Sequence, residues 1–160
     1  MNRVLLLFVA ASLSGCSAVT DAGVPVGPAW VTLAYVGLYY GFQLNVLRVK
    51  NRVKAEHAAR GEKLDRYFTQ DRFLLAADRY QLNMLEHMPV FLVLLWLHAV
   101  AVDPGEATIA GAVYVAARVA YPLVLGPRMG RGVPTRILVV TGAGYAVLVW
   151  QAVRIGASLL

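Results

Sequence analysis

Four runs of about 20 apolar residues constrain this 160-residue chain more than anything else in it: Ala29 to Leu47, Met84 to Val102, Ala107 to Leu125 and Ile137 to Ile155. A helix of that length rises about 30 Å, the thickness of the hydrocarbon core of a bilayer. In lipid every backbone N–H and C=O must be bonded within the protein, so isolated runs of this length fold as helices. Hydrophobic residues make up 59% of the chain, above the roughly half of an ordinary soluble domain. The fold class that follows is all-α, a membrane-spanning four-helix bundle. The glycines and prolines do not break the runs in the way a transporter with discontinuous helices requires, and no inverted repeat is visible.

The amino terminus is a separate object. Met1, Asn2 and Arg3 form a short basic start, "VLLLFVAAS" is apolar but too short for a comfortable span, and "LSGC" ends at Cys16. This arrangement resembles a bacterial lipoprotein signal, which implies a signal peptide over residues 1–15 and acylation of Cys16. A linker over 16–28 and a four-helix membrane domain over 29–160 complete the expected organisation. Cys16 is the single cysteine, so the chain forms no internal disulfide and no thiolate metal cluster.

The net charge of +6 would suit nucleic acid if it formed one soluble patch, but the bases lie between the spans. The segment from Arg48 to Arg79 is rich in arginine and lysine, and "GPRMGRGVPTR" carries Arg128, Arg131 and Arg136 without an acid. The intervening "AVDPGEAT" holds Asp103 and Glu106 and no base. The positive-inside rule places both basic loops in the cytoplasm and both mature termini in the periplasm of a bacterial inner membrane. Two cytoplasmic helical extensions are expected. One runs from Arg48 to a break at Gly61; the other begins near Asp65 and enters the second span without interruption. "GLYYG" (Gly37 to Gly41) fits the small-residue spacing of close helix contacts.

The polar residues of the second span carry the functional argument. Arg79, Asn83 and Glu86 are spaced i, i+4, i+7 and share one helical side, flanked by Gln81 and His87. A charged group at mid-bilayer costs about 2.5–3.5 kcal/mol, less near an interface. Two readings account for the cost. Arg79 and Glu86 can be joined structurally through Asn83, or together they form a wall for a zwitterionic ligand. In the second case arginine takes a carboxylate and glutamate an ammonium. Arg118 lies within the third span with Tyr121 on its face and needs a partner: either Glu86, the one acid inside the apolar runs, or a ligand that it contacts directly. His57, His87 and His98 lack metal-ligand spacing, so no metal is expected.

"RYQLNMLEHMPVF" resembles the second-helix signature of the MAPEG family, the membrane-associated proteins in eicosanoid and glutathione metabolism. "VYVAARVAY" is similar to its third-helix element, and the likeness covers roughly Ala29 to Leu160. The resemblance implies a homotrimer of four-helix bundles that binds glutathione between subunits near the cytoplasmic side, with no metal. It implies glutathione contacts at Arg48, Arg79, Gln81, Asn83, Glu86, His87, Arg118 and Tyr121. "PTR" resembles the entry to the fourth helix, where the family carries the arginine that stabilises the thiolate; this points to Arg136, with Arg131 second. The implied activity is that of a glutathione transferase or peroxidase acting on a lipophilic electrophile or hydroperoxide. Leu125 stands where several members have a tyrosine. That departure keeps open a non-enzymatic, lipid-binding or scaffold role on the same fold.

Overall fold

The structure, a computed structural model, describes residues 23–65, 70–130, 132 and 135–160. The signal segment with Cys16, most of the linker and Arg131 lie outside the described residues. Four helices follow in order: α1 (Val26–Ala59), α2 (Arg72–Ala101), α3 (Pro104–Leu125) and α4 (Thr135–Ser158). Among them α2, α3 and α4 are long and apolar enough to cross a membrane. The expected first span is helical but less apolar, because Tyr35, Tyr39, Tyr40, Gln43 and Asn45 interrupt its aliphatic residues.

At 1.5 Å per residue the 34 residues of α1 reach about 51 Å, some 20 Å more than a hydrocarbon core. Its end is set by Gly61, whose φ of 74° is in the left-handed region that glycine adopts without a Cβ clash. The second helix starts later than its amphipathic pattern suggested. Asp65 and Gln70 are not helical, and the first turn of α2 is capped by Asp71, which accepts from the N–H groups of Phe73 and Leu74. That cap satisfies donors a helix leaves open at its start, so an N-cap aspartate marks a boundary where hydrophobic periodicity alone does not. Asp103 starts α3 in the same way, accepting from Glu106 N–H at 2.7 Å, with Pro104 in the first turn.

The core is layered along the bundle. In its middle, Phe91 stacks on Tyr114 with ring centroids 4.2 Å apart, and Tyr35 tilts against Phe91 at 4.8 Å. The Tyr35 hydroxyl donates to the Met84 carbonyl at 2.6 Å, which accommodates the one polar atom this ring brings inside. Close helix crossings occur where the residue is glycine. A Cβ on Gly111 would come within 2.7 Å of Val31 Cγ1 and 2.8 Å of Leu95 Cδ1. Gly37 and Gly41, the pair suggested by "GLYYG", meet nothing within 4 Å of an added Cβ and so make no close contact inside the chain. Helices α2 and α3 occupy the centre; α1 and α4 flank them and do not touch each other among the described residues. Leu123, Val139 and Val100 are more than 70% exposed, a surface that lipid or another chain must cover.

At the end of the bundle where α2 starts, the connections are tied together. Met129 N–H donates to the Arg72 carbonyl at 2.9 Å, while Arg72 Nε donates back to the Met129 carbonyl. The Phe73 ring lies 4.7 Å from the Arg52 guanidinium and 5.5 Å from that of Arg128. Tyr80 donates to the Gly126 carbonyl, and Gly126, at φ 78°, closes α3.

Candidate functional site

Helical geometry divides the three polar residues of α2. Asn83 and Glu86 are three residues apart, which places them about 60° from one another around the axis, with Arg79 between. That difference straddles the edge of the bundle: Asn83 is buried, whereas Arg79 and Glu86 are exposed. Arg79 Nη1 and Glu86 Oε1 stand 3.8 Å apart, close enough to attract and too far for a hydrogen bond. Both groups therefore keep their hydrogen-bonding capacity.

Asn83 points into the protein, where its Oδ1 accepts from Arg118 Nη1. Arg118 is 1% exposed, and its guanidinium carbon sits 4.6 Å from the centroid of the Tyr114 ring. Its Nη2 faces Gly144 of α4, where an added Cβ would approach to 2.7 Å. The expected Glu86–Arg118 pairing is corrected by this arrangement. The 60° offset turns the carboxylate outward and leaves Asn83 as the group that reaches the guanidinium. A buried arginine with an amide and a ring face as its partners, rather than a carboxylate, retains a large desolvation cost.

The remaining candidates spread around this end. Gln81 Nε2 donates to the Tyr39 hydroxyl at 3.4 Å, joining α2 to α1. His87 is half-buried with its ring edge-on to Tyr145 of α4, centroids 5.1 Å apart. Tyr121 is buried with Tyr80, Leu125 and Ile137, so Leu125 fills a packed position beside it. Arg48 on α1 and Arg136 in the first turn of α4 are both exposed. Because α1 and α4 do not touch, these two arginines flank opposite sides of the bundle.

The family model described as the MAPEG family matches residues 28–157. The chain belongs to the MAPEG family. It is a membrane protein of a family associated with glutathione and lipophilic substrates that includes glutathione transferases as well as non-enzymatic members. No curated protein matches it. Among the described residues of this MAPEG chain, no group of three or more histidines, acids or cysteines converges as metal ligands would.

Sequence reasoning missed a second polar cluster, at the other end of the MAPEG bundle. Arg154 of α4 grips Glu106 of α3 with two nitrogens, at 2.9 and 3.2 Å, a two-point contact between helices. His98 of α2 is fully buried, with Nε2 3.5 Å from Glu106 Oε2 and its ring 5.1 Å from that of Trp150. Gln151 is fully buried, and neither its amide nitrogen nor its oxygen has a hydrogen-bond partner. Glu106 and Arg154 lie 48 residues apart in sequence, so no local spacing signals their contact. Gly144 was missed for the same reason, since its role depends on the side chain of a different helix.

Proposed function

We propose that this protein is a membrane glutathione transferase or peroxidase. It holds glutathione at the end of the bundle where α2 starts and stabilises the thiolate for attack on a lipophilic electrophile or hydroperoxide. The observation that carries the reading is the exposed Arg79–Glu86 pair, 3.8 Å apart, with Asn83 beside it. Glutathione bears carboxylates and an ammonium, and a cation and an anion held side by side without a closed hydrogen bond suit such a zwitterion. Membership of the MAPEG family supports the same ligand.

Arg136 is the proposed thiolate partner, with Arg131 the second candidate. A free thiol has a pKa near 8.5, and a fixed cation in a partly dry site lowers it, so the nucleophilic form is populated at neutral pH. The guanidinium stays charged and so supplies that field without titrating itself. The thiol proton leaves to water; the sulfur then forms a carbon–sulfur bond as the leaving group departs. With a hydroperoxide the sulfur takes the terminal oxygen as the O–O bond breaks, and the alkoxide leaves as an alcohol with a proton from water. The sulfenic acid so formed condenses with a second glutathione to give the disulfide and water.

The placement of Arg48 and Arg136 on opposite flanks of one protomer supports a site completed by a neighbouring copy, in a homotrimer. The distribution of bases supports a cytoplasmic location for this site in a bacterial inner membrane, with Cys16 as an outer lipid anchor. Isothermal titration of the purified protein with glutathione tests the reading. Binding is expected for the wild type and lost in the Arg79→Ala/Glu86→Ala variant. A wild type that does not bind glutathione overturns the enzyme reading in favour of a lipid-binding or scaffold role.

A further inference from the structure

The resemblance to the family suggests Arg118 as a direct ligand contact, yet the residue is 1% exposed, with Asn83 as its hydrogen-bond partner. We propose that Arg118 is a positioning residue that acts through Asn83, and that Gly144 is the third member of this arrangement. A guanidinium has donors and no acceptor. The Asn83 amide must therefore turn its oxygen toward Arg118, and its NH2 group is left directed away from the guanidinium. Without Arg118 the amide rotates between two nearly equivalent orientations and offers a donor or an acceptor indifferently. With Arg118 in place the site presents N–H donors, which select the acceptor oxygens of a peptide carbonyl or carboxylate.

Gly144 makes the orientation possible. Any side chain at this position would place its Cβ 2.7 Å from Arg118 Nη2 and 3.6 Å from Tyr114 Cε2. The atom that must give way is the far end of a long side chain rather than backbone, so an alanine here moves the guanidinium more than it disturbs the helices. The Asn83 bond and the Tyr114 ring face fix the guanidinium from the other sides. Three helices thus cooperate to set the direction of one amide, and two of the three residues make no contact with the ligand.

For its ligand the proposal rests on the glutathione reading. The test is a set of glutathione titrations on the wild type, Asn83→Ala, Arg118→Met, Arg118→Lys, Gly144→Ala and the doubles with Asn83→Ala. Loss of an oriented donor is expected to weaken binding about tenfold in Asn83→Ala, Arg118→Met and Gly144→Ala. Each double is expected to bind no more weakly than Asn83→Ala alone. Arg118→Lys, which keeps a donor for the Asn83 oxygen, is expected to recover most of the affinity. Additive losses in the doubles, or wild-type affinity in Gly144→Ala, would overturn the proposal. Thermal unfolding of the same proteins separates it from the functional reading. If the wild type binds no glutathione, that reading falls, and additive unfolding shifts for Asn83→Ala and Arg118→Met would remove the coupling as well.

Discussion

Arg79 Nη1 lies 3.8 Å from Glu86 Oε1, two turns further along α2, and about half of each side chain is exposed. A pair this open contributes little to folding, roughly 0–1 kcal/mol. The Arg79→Ala/Glu86→Ala variant is therefore expected to unfold within about 1 kcal/mol of the wild type while losing glutathione binding. Unfolding in detergent alongside calorimetry checks both halves, and equal glutathione affinity in variant and wild type would place the ligand elsewhere.

Arg136 sits exposed in the first turn of α4. Removing a cation that stabilises a developing anion costs on the order of 10²–10³ in turnover. Arg136→Ala is expected to show that loss with glutathione affinity changed only several-fold. The sign of the pH effect follows from the thiol: the cation holds its pKa down, so the inflection in the pH–rate profile should rise toward about 8.5 in the variant. An unchanged inflection would transfer the role to another group, Arg131 first.

Gln151 is fully buried with both amide atoms unpartnered. Buried polar groups left unbonded cost about 1–3 kcal/mol each, and an apolar group of similar shape removes that cost. Gln151→Leu is expected to raise the unfolding temperature. A fall would mean that the amide is bonded in the membrane-embedded protein.

Gly111 and Gly41 provide a paired test of packing. A Cβ at Gly111 meets Val31 and Leu95 below 3 Å, whereas one at Gly41 meets nothing within 4 Å. Gly111→Ala is expected to destabilise by about 1–3 kcal/mol through overpacking. Gly41→Ala should be neutral or slightly stabilising, since alanine is the better helix former by about 1 kcal/mol. Equal losses at both positions would show that the open face of α1 is packed against a second copy.

Hydropathy made α2, α3 and α4 legible, because lipid rewards long apolar helices whatever their neighbours. Their ends were less so: Asp71 begins α2 through a side-chain cap, a signal that the amphipathic pattern from Asp65 onward overrode. Within the site, the grouping of Arg79, Asn83 and Glu86 was visible from spacing. The division of that group was not, since a 60° difference means little until the packed helices define an edge. Charge pairing alone pointed Arg118 at Glu86, and only the packing showed that Asn83 is nearer. The Glu106–Arg154 link and the Gly144–Arg118 approach each join α3 to α4 across a long stretch of sequence and leave no mark in a local window.

Between the two polar ends lies the layer of Tyr35, Phe91 and Tyr114, each at most 1% exposed. From Met88 to Leu97 on α2 and from Ala107 to Ala117 on α3 there is no acidic or basic side chain. A proton or ion crossing that layer would travel without a partner through apolar rings, at a cost like that of a bare charge in lipid. The bundle is thus an electrical insulator. On the proposed function, a proton released from a thiol at one end would go back to the water on that side, and turnover would neither draw on the membrane potential nor discharge it.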